Sequence, residues 1–155
     1  DSPYYKGLYD EGKVIVLGMP VNFASDEFAA GIVKGLTFLS ENQGPYLVHC
    51  TEGKDRAGFT AALLEALMGA KLEEIEDDYL QSYVNYYHLD PKADAEKCQM
   101  IVEKNVHEML RAIAGLEKGA DLKDVDLAAA AETYLTDTVG LTADQVTALK
   151  TTLSK

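Results

Sequence analysis

Apolar residues recur along most of the chain at helical spacing. From Ser25 to about Glu41, Phe28, Ile32, Leu36 and Leu39 fall on one face, and Ser25 stands where an N-cap belongs. Asn42-Gln43-Gly44-Pro45 breaks this helix. From Ala57 to Gly69 the residues Phe59, Leu63, Leu64, Leu67 and Met68 leave almost no polar face, which predicts a central, buried helix. Leu72, Ile75, Tyr79, Tyr83 and Tyr86 form one further stripe, and Cys98, Val102, Met109 and Ile113 form another. A third helix is expected through Leu127 to Leu135, and Thr142-Ala143-Asp144-Gln145 is a capping box that opens a last short one.

Two short runs break this helical rhythm. Val14-Ile15-Val16-Leu17 and Tyr46-Leu47-Val48 are continuous apolar stretches bounded by turn residues, the pattern of buried strands in a parallel sheet. With the helix between them they predict a βαβ unit and a right-handed crossover. The expected fold class is therefore α/β, a central and mostly parallel sheet flanked by helices with a helix-rich C-terminal half. Two strands are few for such a sheet. The chain is accordingly read as one domain spanning 1–155, the C-terminal part of a longer domain whose upstream strands lie in a preceding segment.

Composition narrows the partners. At 155 residues and 47% hydrophobic, the chain can bury one sizeable core. No apolar run is long enough for a membrane span, and no signal peptide is visible. A net charge of −12 opposes nucleic acid and anionic membrane surfaces as main partners. The same charge repels anionic substrates, so a site for one must carry strong local attraction. Two cysteines are too few for a disulfide framework and favour a reducing, cytoplasmic setting, although a secreted protein that has lost its signal is compatible.

The chemistry concentrates at His49-Cys50-Thr51-Glu52-Gly53-Lys54-Asp55-Arg56-Ala57-Gly58. A cysteine and an arginine six positions apart mean little alone. Here they follow an expected strand and lead into an expected buried helix, and Gly53 lies between them. A loop closing onto a helix N-terminus turns successive N–H groups inward, and the helix dipole adds about half a positive charge. That arrangement cradles an anion and lowers the pKa of a thiol placed there, making it a nucleophile. Arg56 is suited to grip two phosphoryl oxygens at once, and Lys54 adds a second positive charge.

This segment resembles the signature of the protein tyrosine phosphatase superfamily, in which a Cys, five residues and an Arg follow a His. Its Gly-Lys-Asp-Arg ending is similar to that of a bacterial branch whose members act on phosphotyrosine, and in several cases on phosphoserine, phosphothreonine or phosphoinositides. The resemblance extends over about Lys13 to Tyr87. It implies that Cys50 attacks phosphorus, that Arg56 and the amides of Thr51, Glu52, Gly53, Lys54 and Ala57 bind the phosphoryl oxygens, and that His49 tunes the thiolate. It also implies catalysis without metal or organic cofactor. Where the family often has Ser or Thr after the Arg, this chain has Ala57, which puts breakdown of the phosphoenzyme in question.

The general acid is open between two residues. Asp26 is the nearest acid to the loop that follows the first apolar run, and Asp55 lies within the phosphate loop itself and is preferred. The expected substrate is a phosphorylated protein or a phosphoinositide. The rival readings are an inositol phosphate phosphatase, a pseudophosphatase that binds phosphorylated ligands without turnover, and, more distantly, a rhodanese-like sulfurtransferase. Of the remaining features, the acidic run Glu73-Glu74 and Glu76-Asp77-Asp78 reads as a solvated helix face. Tyr83, Tyr86 and Tyr87 read as helix packing, with one of them a candidate for lining the pocket.

Overall fold

A computed structural model describes residues 2–154. Its order is α1 (Pro3–Asp10), α2 (Asp26–Glu41), α3 (Arg56–Leu67), α4 (Leu72–Tyr87), α5 (Ala95–Ile101), a π-turn (Val102–Val106), α6 (His107–Ile113), α7 (Leu127–Thr133), a second π-turn (Tyr134–Thr138) and α8 (Ala143–Leu153). Several helices begin where the sequence signals a start. Ser25 caps α2 by accepting from the Phe28 N–H, and Thr142 with Gln145 forms a complete capping box on α8. Helix α1, which no apolar stripe announced, is capped by Ser2 and buries none of its residues.

Helix α3 is the hub. Gly58, Phe59, Ala62, Leu63, Ala66 and Leu67 are all buried on it, and it packs against α4, α6 and α7. Phe59 meets Phe23, Phe28 and Tyr134 with ring centroids 4.9, 5.0 and 5.9 Å apart, so one aromatic cluster ties α2, α3 and the second π-turn together. Helix α8 closes the other face of α2.

The expected α/β fold is not what forms: the described residues are helical and contain no strand and no sheet. Val14–Leu17 and Tyr46–Val48 are neither helical nor paired, and they exchange no backbone hydrogen bond with each other. A β-branched run expresses a preference, whereas a strand is a ladder shared by two segments. The first segment instead lies along a helix. Gly31 and Gly35, four residues apart on α2, leave room for its side chains. A Cβ on Gly31 would lie 2.2 Å from Met19 Cγ, and one on Gly35 would lie 3.2 Å from Leu17 Cδ1. The second segment is largely uncovered, with Leu47 86% and Val48 45% exposed.

Candidate active site

The loop between Val48 and Arg56 has no regular structure and turns on Gly53, whose φ of 81° lies in the left-handed region. It delivers its chain onto the N-terminus of α3, where Asp55 is the capping residue. Burial pushes the Cys50 thiol up. The N–H groups of Ala57, Glu52 and Gly53 and the nearby Arg56 guanidinium outweigh this, and the thiol ends below its ordinary value. A lowered thiol at a helix N-terminus is a thiolate over more of the neutral range, and thiolate is the nucleophilic form.

Arg56 is held from two sides by neutral acceptors. One terminal nitrogen donates to the Met19 carbonyl at 3.2 Å and the other to Thr51 Oγ1 at 3.0 Å. Its Nε is enclosed and has no hydrogen-bond partner. No carboxylate pairs with Arg56 among the described residues, so its charge is oriented without being cancelled. The Met19 contact was not legible in the sequence. It depends on Gly31 of α2, which leaves room for the Met19 side chain.

Lys54 behaves differently from the expectation of a second free positive charge. It pairs with Asp55 at 2.8 Å and with Glu52 at 3.2 Å, and its side chain is only 20% exposed. The Asp55 bond and the Glu52 bond hold its pKa well above the usual lysine value despite some burial. Anion attraction in the loop therefore rests on the amides and Arg56. Glu52 in turn accepts a hydrogen bond from the Tyr87 hydroxyl, and that bond lifts Tyr87 to about 12. Tyr87 ends a ladder of rings, Tyr79, Tyr83 and Tyr87, with successive centroids 5.7 and 5.4 Å apart along α4. One of the α4 tyrosines thus reaches the loop. Tyr86, expected on the same apolar stripe, is 55% exposed instead.

The loop brings together Cys50, Thr51, Glu52, Gly53, Lys54, Asp55, Arg56 and Ala57. His49 is exposed, and among the described residues its side chain makes no hydrogen bond. Asp26 is the first residue of α2, exposed, and has no hydrogen bond or ion pair with any loop residue. Asp55 lies in the loop at the N-cap of α3, paired with Lys54.

A family model for tyrosine phosphatases matches residues 16–155. The chain belongs to the tyrosine phosphatase family. Neither the curated proteins nor the solved structures gave a match. For a tyrosine phosphatase family member, a phosphatase-type function on a phosphorylated substrate is the supported reading, and the matched span includes the whole Cys50–Arg56 loop. Among the described residues no helix is long and apolar enough to cross a membrane. Cys50 and Cys98 are both free thiols, and Cys98 is buried on α5.

Proposed function

We propose that this tyrosine phosphatase family member hydrolyses phosphotyrosine or a related phosphomonoester through a cysteinyl phosphate on Cys50. The observation that carries the reading is the convergence of three backbone N–H groups on a thiol already lowered in pKa. Arg56 adds to it, because its guanidinium is fixed by Met19 and Thr51 yet keeps an unpartnered Nε.

In the first step the Cys50 thiolate forms a bond to phosphorus while the ester P–O bond breaks. Arg56 and the loop amides take up the charge on the three non-bridging oxygens. A dianion in the loop competes for Lys54, and Asp55, released from that pair, takes a proton from solvent, passes it to the departing oxygen and is left as a carboxylate. In the second step water gives a proton to the Asp55 carboxylate as it attacks phosphorus, and the S–P bond breaks. Inorganic phosphate leaves and the thiolate returns. Ala57 offers no hydroxyl to assist this second step, so breakdown of the intermediate is expected to be the slower half.

The inositol phosphate reading draws less support, because the lysine it needs is already engaged by Glu52 and Asp55. Hydrolysis of para-nitrophenyl phosphate tests the proposal. Turnover that vanadate blocks and Cys50→Ser abolishes is expected; a folded chain with no turnover points instead to a phosphate-binding module. Because the thiol is lowered, activity should persist on the acid side of the ordinary thiol range. Iodoacetamide should then modify Cys50 at a pH where buried Cys98 stays unmodified.

A further inference from the structure

Beside the phosphate loop, α3 and α4 enclose a cavity of about 270 Å³. Gly53, Ala57 and Gly58 form one end of its wall, so it adjoins the loop directly. Ala61, Leu64 and Ile75 make its sides apolar. Into this setting the chain places two carboxyls, Glu65 from α3 and Asp78 from α4. Burial raises Glu65 to about 7, and the charge and hydrogen bond of Asp78 add to the effect. Glu65 is half-buried and Asp78 exposed, so two acids meet where the cavity faces solvent, and a cation there would relieve their repulsion. Among the described residues neither makes an ion pair, and the cavity wall holds no Lys, Arg or His. Asp78 is exposed, as its acidic run suggested, so this part of the cavity faces solvent.

A second observation is independent of the carboxyls. Tyr79 lines the same cavity, is 4% exposed, and carries an enclosed hydroxyl with no hydrogen-bond partner. A buried phenol normally finds a partner. The cavity therefore offers carboxyl acceptors and apolar sides, and one of its lining residues, Tyr79, keeps an unsatisfied hydroxyl enclosed behind it.

On the reading that the neighbouring loop binds phosphate, we propose that this cavity is a specificity subsite that takes the guanidinium side chain of an arginine near the phosphorylated residue of a peptide substrate. The aliphatic stem of arginine packs on the apolar walls while its planar fork matches a carboxylate bidentately. Glu65 lies nine positions after Arg56 on one helix, about 13 Å at 1.5 Å per residue. An extended peptide covers that distance in about four residues. The net charge of −12, a liability toward the phosphate, attracts a basic flanking sequence.

The test has two arms. Calorimetric titration of the whole chain with agmatine, a small guanidinium probe, reports the cavity without involving the loop. Saturable binding is expected, weakened about tenfold or more in Glu65→Gln/Asp78→Asn, with circular dichroism confirming the fold and Asp78→Asn alone as the milder variant. The second arm measures Kd on Cys50→Ser, which needs no turnover, for phosphotyrosine peptides with arginine or alanine three to four residues from the phosphate. Tighter binding of the arginine peptide is expected, and the ratio should fall toward one in the triple variant. Agmatine binding that is absent, or equal in wild type and variant, overturns the subsite, as does the lack of an arginine preference. Para-nitrophenyl phosphate turnover by wild type is read separately. Its absence alongside intact agmatine binding counts against the phosphatase reading and leaves the subsite standing.

Discussion

The chain has two arginines, and they occupy opposite environments. Arg111 on α6 is 5% exposed and fully engaged. It donates to Glu108 Oε1 at 2.7 Å, to Glu103 Oε1 at 2.8 Å and to the Ala120 carbonyl at 2.7 Å. Glu103 also meets His107 Nδ1, and His107 Nε2 reaches Glu76 on α4, so the network clamps α4, the first π-turn and α6 together. Arg56 has only a carbonyl and a hydroxyl for partners and an idle Nε. An arginine whose charge is cancelled by carboxylates holds structure. One that is oriented by neutral oxygens keeps its charge for a ligand.

That contrast can be broken at both ends. Arg56→Lys keeps the charge but loses the planar fork, and should lower kcat on para-nitrophenyl phosphate by about 10²- to 10³-fold. Its thermal unfolding midpoint should fall only modestly, since the lost bonds run to a carbonyl and a hydroxyl and no carboxylate is left stranded. Arg111→Met should do the reverse. Removing the cation strands Glu103 and Glu108, but Glu103 is 52% exposed, so the loss should be about 2 kcal/mol rather than the 3–5 of a fully buried pair. Urea unfolding would read that loss, and kcat per folded molecule should stay near wild type.

Gly31→Ala sharpens the comparison by reaching Arg56 indirectly. The added methyl collides with Met19, whose carbonyl helps to orient the guanidinium. A destabilisation of about 1 to 2 kcal/mol is expected, together with a fall in kcat larger than that in KM. Unchanged kcat in the folded variant would show that the Met19 contact does not position Arg56. The smallest effect is expected from Glu52→Gln, which frees Lys54 from one partner. KM for the anionic substrate should drop about two- to threefold. Tyr87, held at about 12 by its bond to Glu52, should titrate closer to the ordinary tyrosine value in an ultraviolet titration.

How far the sequence reached depends on whether a feature is local. The caps at Ser25 and Thr142, the all-apolar helix after Ala57 and the Cys50–Arg56 loop are written in contiguous residues, and each lies where it was expected. The strands were not legible, because Val14–Leu17 and Tyr46–Val48 carry the residue preference of strands while pairing is a property of two segments. The Cys98-to-Ile113 stripe reads as one helix, yet the backbone passes through a π-turn at Val102–Val106 that no side-chain period marks. In the site, Cys50 and Arg56 stood out by spacing. The neutralised Lys54 did not, since Glu52 and Asp55 flank it in sequence and only the folded loop shows them turned toward it. Nor did Tyr87, which meets Glu52 from 35 positions away.

The central claim is that Cys50 becomes covalently phosphorylated during turnover. Acid-quenching the protein in mid-reaction with para-nitrophenyl phosphate, followed by mass spectrometry of its peptides, tests this most directly. The account predicts phosphate on the peptide containing Cys50, and its accumulation if breakdown beside Ala57 is the slower step. Full hydrolysis by Cys50→Ala, with no phosphate on Cys50 in wild type, would contradict it.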